Sequence, residues 1–350
     1  MKKIITLLAL LCLFANAFAQ QDPQFTQYMH NKLFVNPGYA GMKHALCFTG
    51  IARQQWAGFD GAPRSGVFSA DLYLENLSGG IGLNFMYDEL GFEKNIAYKF
   101  SYSFHRDKFL GGTIGLGIEA GAVSKILGPS GNASWIATTN WQTDPSVPPQ
   151  IKKSNFDLGL GVWFQREDVW LGISSSHIVE GQFNDGIAVL AGPPTTTHNL
   201  VYDLARHFWI TGGYNWYRPN WTIKPSFMVK TDAVATSIDL NCIASMNNGF
   251  WVGVSWRVKD AVTPMIGLEW LQERKENKTR MEDRFILNPE FHDRVRPTWN
   301  KYSTCKIGFA YDYTTSHLNS YNNGTFELFL SYCIPYVPRV GRHGDVRIFN

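Results

Sequence analysis

The run NIAYKFSYSFH (Asn95 to His105) decides the fold, because its side chains alternate without a break. Ile96, Tyr98, Phe100, Tyr102 and Phe104 share one face, and Asn95, Ala97, Lys99, Ser101, Ser103 and His105 share the other. Period two marks an extended strand with one greasy and one polar face. The same alternation returns at Phe156 to Phe164, Phe208 to Trp216, Ile307 to Tyr313 and Phe326 to Tyr332. Alternation alone suits either a soluble sandwich or a membrane barrel. Three further features favour the barrel. The candidate strands run to about ten to thirteen residues, enough to cross a bilayer at a tilt, whereas sandwich strands are about five or six. Aromatic residues gather at strand ends, with Trp216 and Trp221 flanking Arg218-Pro219 and Phe104 and Phe109 flanking another turn, where interfacial girdles sit. Long and tight connections alternate, as outer loops and periplasmic turns do.

Roughly fourteen strands fit between residues 44 and 334, an even number as closure requires. They include single strands over 198–217 and 220–231. Parity puts both chain termini on the periplasmic side. The expected class is an all-β, antiparallel outer-membrane barrel. Pro225 is awkward in the middle of a greasy face, because proline forfeits a ladder hydrogen bond.

The rest of the composition agrees. Of 350 residues, 45% are hydrophobic, 15% aromatic and only 17% charged, with a net charge of +3 and no basic stripe, which argues against a nucleic-acid role. Residues 1–19 read as a cleaved secretory signal: Lys2 and Lys3, an apolar run, then Ala17-Phe18-Ala19. No later apolar run reaches the length of about eighteen residues that a membrane helix needs. Export followed by strands places the chain in the outer membrane, in contact with its lipid.

The inward faces carry Asp71, Glu119, Asp157, Asp239, Glu269, Asp312 and Glu327 with Lys99, Lys224, Lys230, Arg257 and Lys306. Mixed signs can neutralise each other across a packed lumen, so a filled interior is favoured over an open eyelet. Glycine pairs such as Gly115 with Gly117 and Gly159 with Gly161 fall on one strand face, as packing gaps rather than phosphate cradles. Cys47, Cys242, Cys305 and Cys333 follow the leader without a CxxC spacing, and closure of first strand on last could bring Cys47 to Cys333. No histidine sits in a metal-spaced cluster. His177 beside Ser174 to Ser176 is the nearest approach to a base and nucleophile, but adjacent strand residues face opposite ways and no GxSxG turn surrounds them. No catalytic residue, cofactor or metal is assigned, and the chain is not expected to be an enzyme.

Between leader and strands lies QDPQFTQYMHNKLFVNPGYAG (Gln21 to Gly41). Asp22 could cap a short helix begun by Pro23, with Phe25, Tyr28, Met29 and Leu33 as its sticky face, ended by Asn36, Pro37, Gly38 and Gly41. It reads as a periplasmic or plug segment over 20–43, ahead of a barrel over 44–334 and a basic periplasmic tail over 335–350.

This stretch resembles the N-terminal signature of the PorP/SprF family of type IX secretion and gliding proteins, in which a start of the form QDPxFxQYM is followed by NPxYAG. The resemblance continues through RQQWAGFDGAP (Arg53 to Pro63), IKPSFMVK (Ile223 to Lys230), FWVGVSWRVKDAV (Phe250 to Val262), YDYTTSHL (Tyr311 to Leu318) and GTFELFLSY (Gly324 to Tyr332). His30 and Lys32 depart from it, standing where apolar or small residues are expected. The resemblance implies a non-enzymatic component that works beside the type IX translocon and its periplasmic ring or lipoprotein components. It also implies support for secretion or surface attachment of a large adhesin with a C-terminal sorting domain. Gln21, Asp22, Pro23, Phe25, Tyr28, Asn36, Pro37, Tyr39 and Gly41 are then the expected contacts or plug residues on the inner side. The charged 273–301 connection and the tail join them as docking elements. Trp56 and Phe59 on one outer loop, and Trp135 and Trp141 on another, are the expected contacts for a secreted client. A diffusion channel for small solutes is the competing expectation.

Overall fold

The computed structural model describes residues 22–58, 60–128, 150–189, 196–247, 249–273, 302–315 and 323–335. Its strands are β1 (Ala45–Gln54), β2 (Arg64–Leu74), β3 (Gly79–Leu90), β4 (Glu93–Phe109), β5 (Gly112–Leu127), β6 (Ile151–Gln165), β7 (Val169–Ser176), β8 (Gln182–Val189), β9 (Thr196–Asp203), β10 (His207–Tyr214), β11 (Trp216–Tyr217), β12 (Trp221–Thr231), β13 (Thr236–Met246), β14 (Phe250–Arg257), β15 (Ala261–Glu273), β16 (Tyr302–Thr314) and β17 (Thr325–Pro335). All pairings are antiparallel. β1 pairs with β17 from Ala45 opposite Pro335 to Gln54 opposite Phe326, which closes the sheet on itself. β8 and β9 form a separate hairpin, and β7 pairs directly with β10. β11 continues β10 along β12, so the wall is a ring of fourteen strands.

Burial runs inside out. Phe100 is 66% exposed, Ile173 54% and Leu330 53%, whereas Lys230 and Asp239 are fully buried and Glu327 is 1% exposed. A sandwich would hide the greasy face, and this barrel offers it to its surroundings. Such a band is stable only against lipid. No helix among the described residues is long and apolar enough to cross a membrane. Short turns join β2 to β3, β4 to β5, β6 to β7 and β13 to β14, which marks that end of the barrel as periplasmic.

One expectation needs correction. The single strand over 198–217 is three elements: β9 of the side hairpin, then β10 and β11 of the wall. Leu204 to Arg206 separate β9 from β10, and Arg206 donates to the Ile178 carbonyl there, drawing the chain back onto the barrel. Pro225 does lie in a wall strand, paired on one side with Cys242. On its other side the ladder is interrupted, with β10 pairing to Ser226 and β11 resuming at Ile223. The missing N–H falls in that gap, which is how a proline is tolerated in a sheet.

Cys47 and Cys333 face each other across the closing seam and form a disulfide, while Cys242 and Cys305 are free. The bond spans 286 residues of chain, so in the loop-closure account it restricts the unfolded state strongly, at about 2–4 kcal/mol. Denaturing alkylation without reductant is expected to label Cys242 and Cys305 alone. The Cys47→Ser, Cys333→Ser double variant is expected to unfold at a lower temperature in a heat-modifiability gel.

Candidate functional site

The site is the lumen and the segment that fills it. Residues 22–44 thread the barrel from one mouth to the other. Gln24 and Thr26 touch residues at the outer ends of β13, β16 and β17, and Gly41 meets Asp71 near the inner end of β2, just before β1 begins. Residue 22 therefore lies at the outer mouth, which corrects the expectation that this segment starts on the periplasmic side. The capped helix is also absent. Asp22 caps nothing, and the chain makes short turns at Tyr28–His30, Lys32–Val35 and Pro37–Tyr39. A long helix would satisfy its own backbone, whereas here the barrel wall supplies the partners.

The outer half is an ionic clamp. Glu327 accepts the backbone N–H groups of Thr26 (2.9 Å) and Gln27 (2.7 Å). Arg53 bridges Glu327 at 3.0 Å and Asp312 at 2.6 Å. The Thr26 hydroxyl accepts from Arg53 and Arg257, each at 3.1 Å, and donates to Asp312 at 3.2 Å, so its hydrogen-bonding capacity is filled. Arg257 pairs with Asp239 at 3.0 Å, and Gln24 donates to Asp239 at 2.8 Å. Each buried charge has an opposite partner, as a buried charge requires. Arg53, Arg257, Asp312 and Glu327 come from four separate motif stretches, and all four converge on the first one.

The inner half is packing. Asn31 donates to Ser69, Ser69 to Asn84, and Asn84 to the Leu33 carbonyl. Asn241 donates to the Tyr28 hydroxyl at 3.0 Å. Asn36 accepts from the Gly38 N–H and donates to the Val162 and Ile173 carbonyls, capping the Pro37–Tyr39 turn and tying it to β6 and β7. Tyr39 packs edge-on against Trp163. The two departures from the family pattern both rest on rings: His30 stacks on Phe329 at 4.3 Å, and the Lys32 ammonium sits 3.9 Å above Trp170.

Glycines in the wall make the room. A Cβ at Gly117 would run into Pro37 and Gly38, and one at Gly115 into the Gly38 carbonyl. Gly41 has φ +76 and passes against Gly80, a conformation and approach that suit glycine alone. Gly117→Leu is expected to expel the 36–41 turn, seen as new protease or hydrogen-exchange accessibility there. Gly50→Ala, where the nearest atom is 3.9 Å away, should change nothing.

At the outer mouth Asp22 lies 3.0 Å from His177 Nε2, and Asp157 lies 2.9 Å from His177 Nδ1. Burial alone would push this imidazole down, but the Asp22 charge and the bonds to both carboxylates outweigh it and push it up to about 9. Burial likewise raises Asp22, and His177, His207 and Lys230 overcome that to hold it well below the usual carboxylate range. Lys230 donates to the Asp22 carbonyl at 2.6 Å. Ser174 donates to the Val35 carbonyl rather than to His177. A cavity of about 30 Å³ borders Asp22, Lys99, Glu119 and His177, and one of about 240 Å³ opens at the inner mouth beside Lys32, Arg166 and Tyr217.

Of the expected inner-side residues, Asp22, Pro23, Phe25, Tyr28, Asn36, Pro37, Tyr39 and Gly41 all lie inside the barrel, and Gln21 lies outside the described residues. Trp56 is half-buried in a loop that bonds to its neighbours, with Ala57 donating to Gly324 and Gly91 to Gly61. Phe59, Trp135 and Trp141 lie outside the described residues, as do the 274–301 connection and 336–350. Sequence reasoning missed the partnership of Asp22 with His177 and His207, since the three are separated by long stretches of chain.

A family model described as type IX secretion system membrane protein PorP/SprF matches residues 17–273. None of the curated proteins matches the chain. Among solved structures, the CymD monoaromatic hydrocarbon channel is similar at 10% identity and TM-score 0.48, covering 93% of this chain and 97% of that one. The Ralstonia pickettii toluene transporter TbuX is similar at 10% identity and TM-score 0.46, covering 87% and 93%. A Pseudomonas aeruginosa FadL homologue follows at 7% identity and TM-score 0.44, covering 84% and 89%.

Proposed function

The chain belongs to the PorP/SprF family of type IX secretion system membrane proteins, and from that premise we propose that it is a plugged, non-enzymatic barrel that binds other components of the system instead of passing solutes. The observation that carries this reading is the threaded 22–44 segment, held at both ends and along its length by the wall. A barrel filled in this way offers its rims to partners. On the outer rim the loop around Trp56, with the Trp135 and Trp141 loop, would serve a secreted protein with a C-terminal sorting domain. The 273–301 connection and the tail would serve the translocon and its periplasmic ring or lipoprotein components. The 22–41 residues become structural supports of the lumen rather than direct contacts.

The test is a mild-detergent pulldown from native outer membranes, with a tag in the 232–235 turn. Co-purification of a sorting-domain protein or a periplasmic type IX component supports the reading. Recovery of the barrel alone, with solute-permeable liposomes on reconstitution, would replace it by a diffusion channel. Deletion of the chain is expected to impair secretion or surface display of at least one sorting-domain protein.

A further inference from the structure

We propose that Asp22, His177 and His207 form a site for a divalent first-row metal ion of the zinc type, which fastens the outer end of the 22–44 segment to the barrel wall. One nitrogen from each imidazole and one Asp22 oxygen all lie within 4.8 Å of one another. Asp22 is 3.0 Å from His177 Nε2 and 3.8 Å from His207 Nδ1. A tetrahedral zinc with bonds of about 2.0–2.1 Å holds its ligand atoms about 3.3 Å apart, so shifts of up to about 1.5 Å, with the His207 ring turned, complete the set. Two histidines and a carboxylate are a donor set that zinc favours, with the fourth position open to water.

The surroundings supply the outer support such ligands have. His177 turns its second nitrogen to Asp157 at 2.9 Å, the carboxylate–histidine arrangement that orients a metal-bound imidazole. His207 gives Nδ1–H to the Ala205 carbonyl at 2.9 Å, leaving Nε2 as a lone-pair nitrogen. That nitrogen is fully buried and has no partner among the described residues. A flip of the ring about Cβ–Cγ carries Nε2 to the place of Cε1, beside the position from which Nδ1 now faces Asp22 at 3.8 Å, and it gives up the Nδ1 bond to the Ala205 carbonyl. Asp22, Asp157 and Glu119 face Lys99 and Lys230 here, which leaves the group one positive charge short of balance.

The full-length barrel, purified in mild detergent and exposed to zinc chloride alone, is desalted and its metal content measured by mass spectrometry. Stoichiometric zinc is expected in the unaltered protein. His207→Ala should lose it, and His207→Cys, which restores a ligand atom, should regain it. Asp157→Asn should weaken affinity by about 10–100-fold. Heat-modifiable migration on gels shows that each variant is folded. Zinc in the unaltered barrel no higher than in His207→Ala, or equal retention in the Ala and Cys variants, overturns the proposal and leaves the cluster as an ion pair only.

Discussion

Replacing Arg53 with leucine is expected to free the outer end of the N-terminal segment while the barrel stays closed. Arg53 bonds Asp312, Glu327 and Thr26 at once, and its side chain is almost wholly buried. Removing it strands two carboxylates, of which only Asp312 keeps a second cation, Arg257 at 3.5 Å. Loss of one partner from a buried ion pair costs about 3–5 kcal/mol, because the remaining carboxylate stays out of water without its full compensation. That energy falls on the docking of residues 24–27, since β1 and β17 keep their ladder through ten residue pairs. The expected result is a loss of hydrogen-exchange protection of roughly a hundred-fold or more at the Thr26 and Gln27 amides, with unchanged protection across β1 to β5. Arg53→Lys should recover little, because one ammonium cannot span both carboxylates as the planar fork does. Unaltered protection in Arg53→Leu would mean that the clamp does not hold the segment.

Deleting residues 22–41 is expected to turn a silent barrel into a conducting one. Eight-stranded barrels are filled by their own side chains and sixteen-stranded ones leave an aqueous channel, so a wall of fourteen lies where an internal segment decides the outcome. Phe25, Tyr28, Leu33 and Tyr39 are buried within this lumen, and their removal leaves a wall lined by Lys99, Glu119, Lys230, Asp239 and Glu327. Such a polar lining would fill with water. In planar bilayers the intact chain should show no steady single-channel current and the deletion should. Gly117→Leu, which leaves every residue of the segment present but evicts its 36–41 turn, gives an independent variant if the deletion folds poorly. Equal conductance with and without the segment would contradict the plugged reading.

Much of this architecture was legible in the chain. The alternation of Ile96 to Phe104 with Lys99, Ser101 and Ser103 fixed which face of β4 looks outward, and the inward set of mixed charges was read correctly from Asp71 to Glu327. Gly115 and Gly117 were readable as packing gaps because period two puts them on one face, although what fills the gap was not. The path of residues 22–44 could not be read, since its turns draw their hydrogen bonds from Glu327, Ser69, Val162 and Asp71, each far away in sequence. Local spacing suggested a capped helix at Asp22, and the tertiary partner His177 overrode it. Arg53 is followed by Gln54 and Gln55, with no local sign that Glu327 lies opposite it and Asp312 one strand further; only closure of β1 on β17 brings both there.

The most direct measurement is disulfide trapping of the segment inside the lumen. Asn31 donates to Ser69 at 2.9 Å, so Asn31→Cys with Ser69→Cys, in a background with Cys242 and Cys305 changed to serine, places two thiols side by side only if the segment threads the barrel. Peptide mapping after mild oxidation of intact cells is predicted to find the 31–69 link in most of the folded protein. Full alkylation of both cysteines, with no link formed, would show that the segment lies elsewhere and would contradict the account.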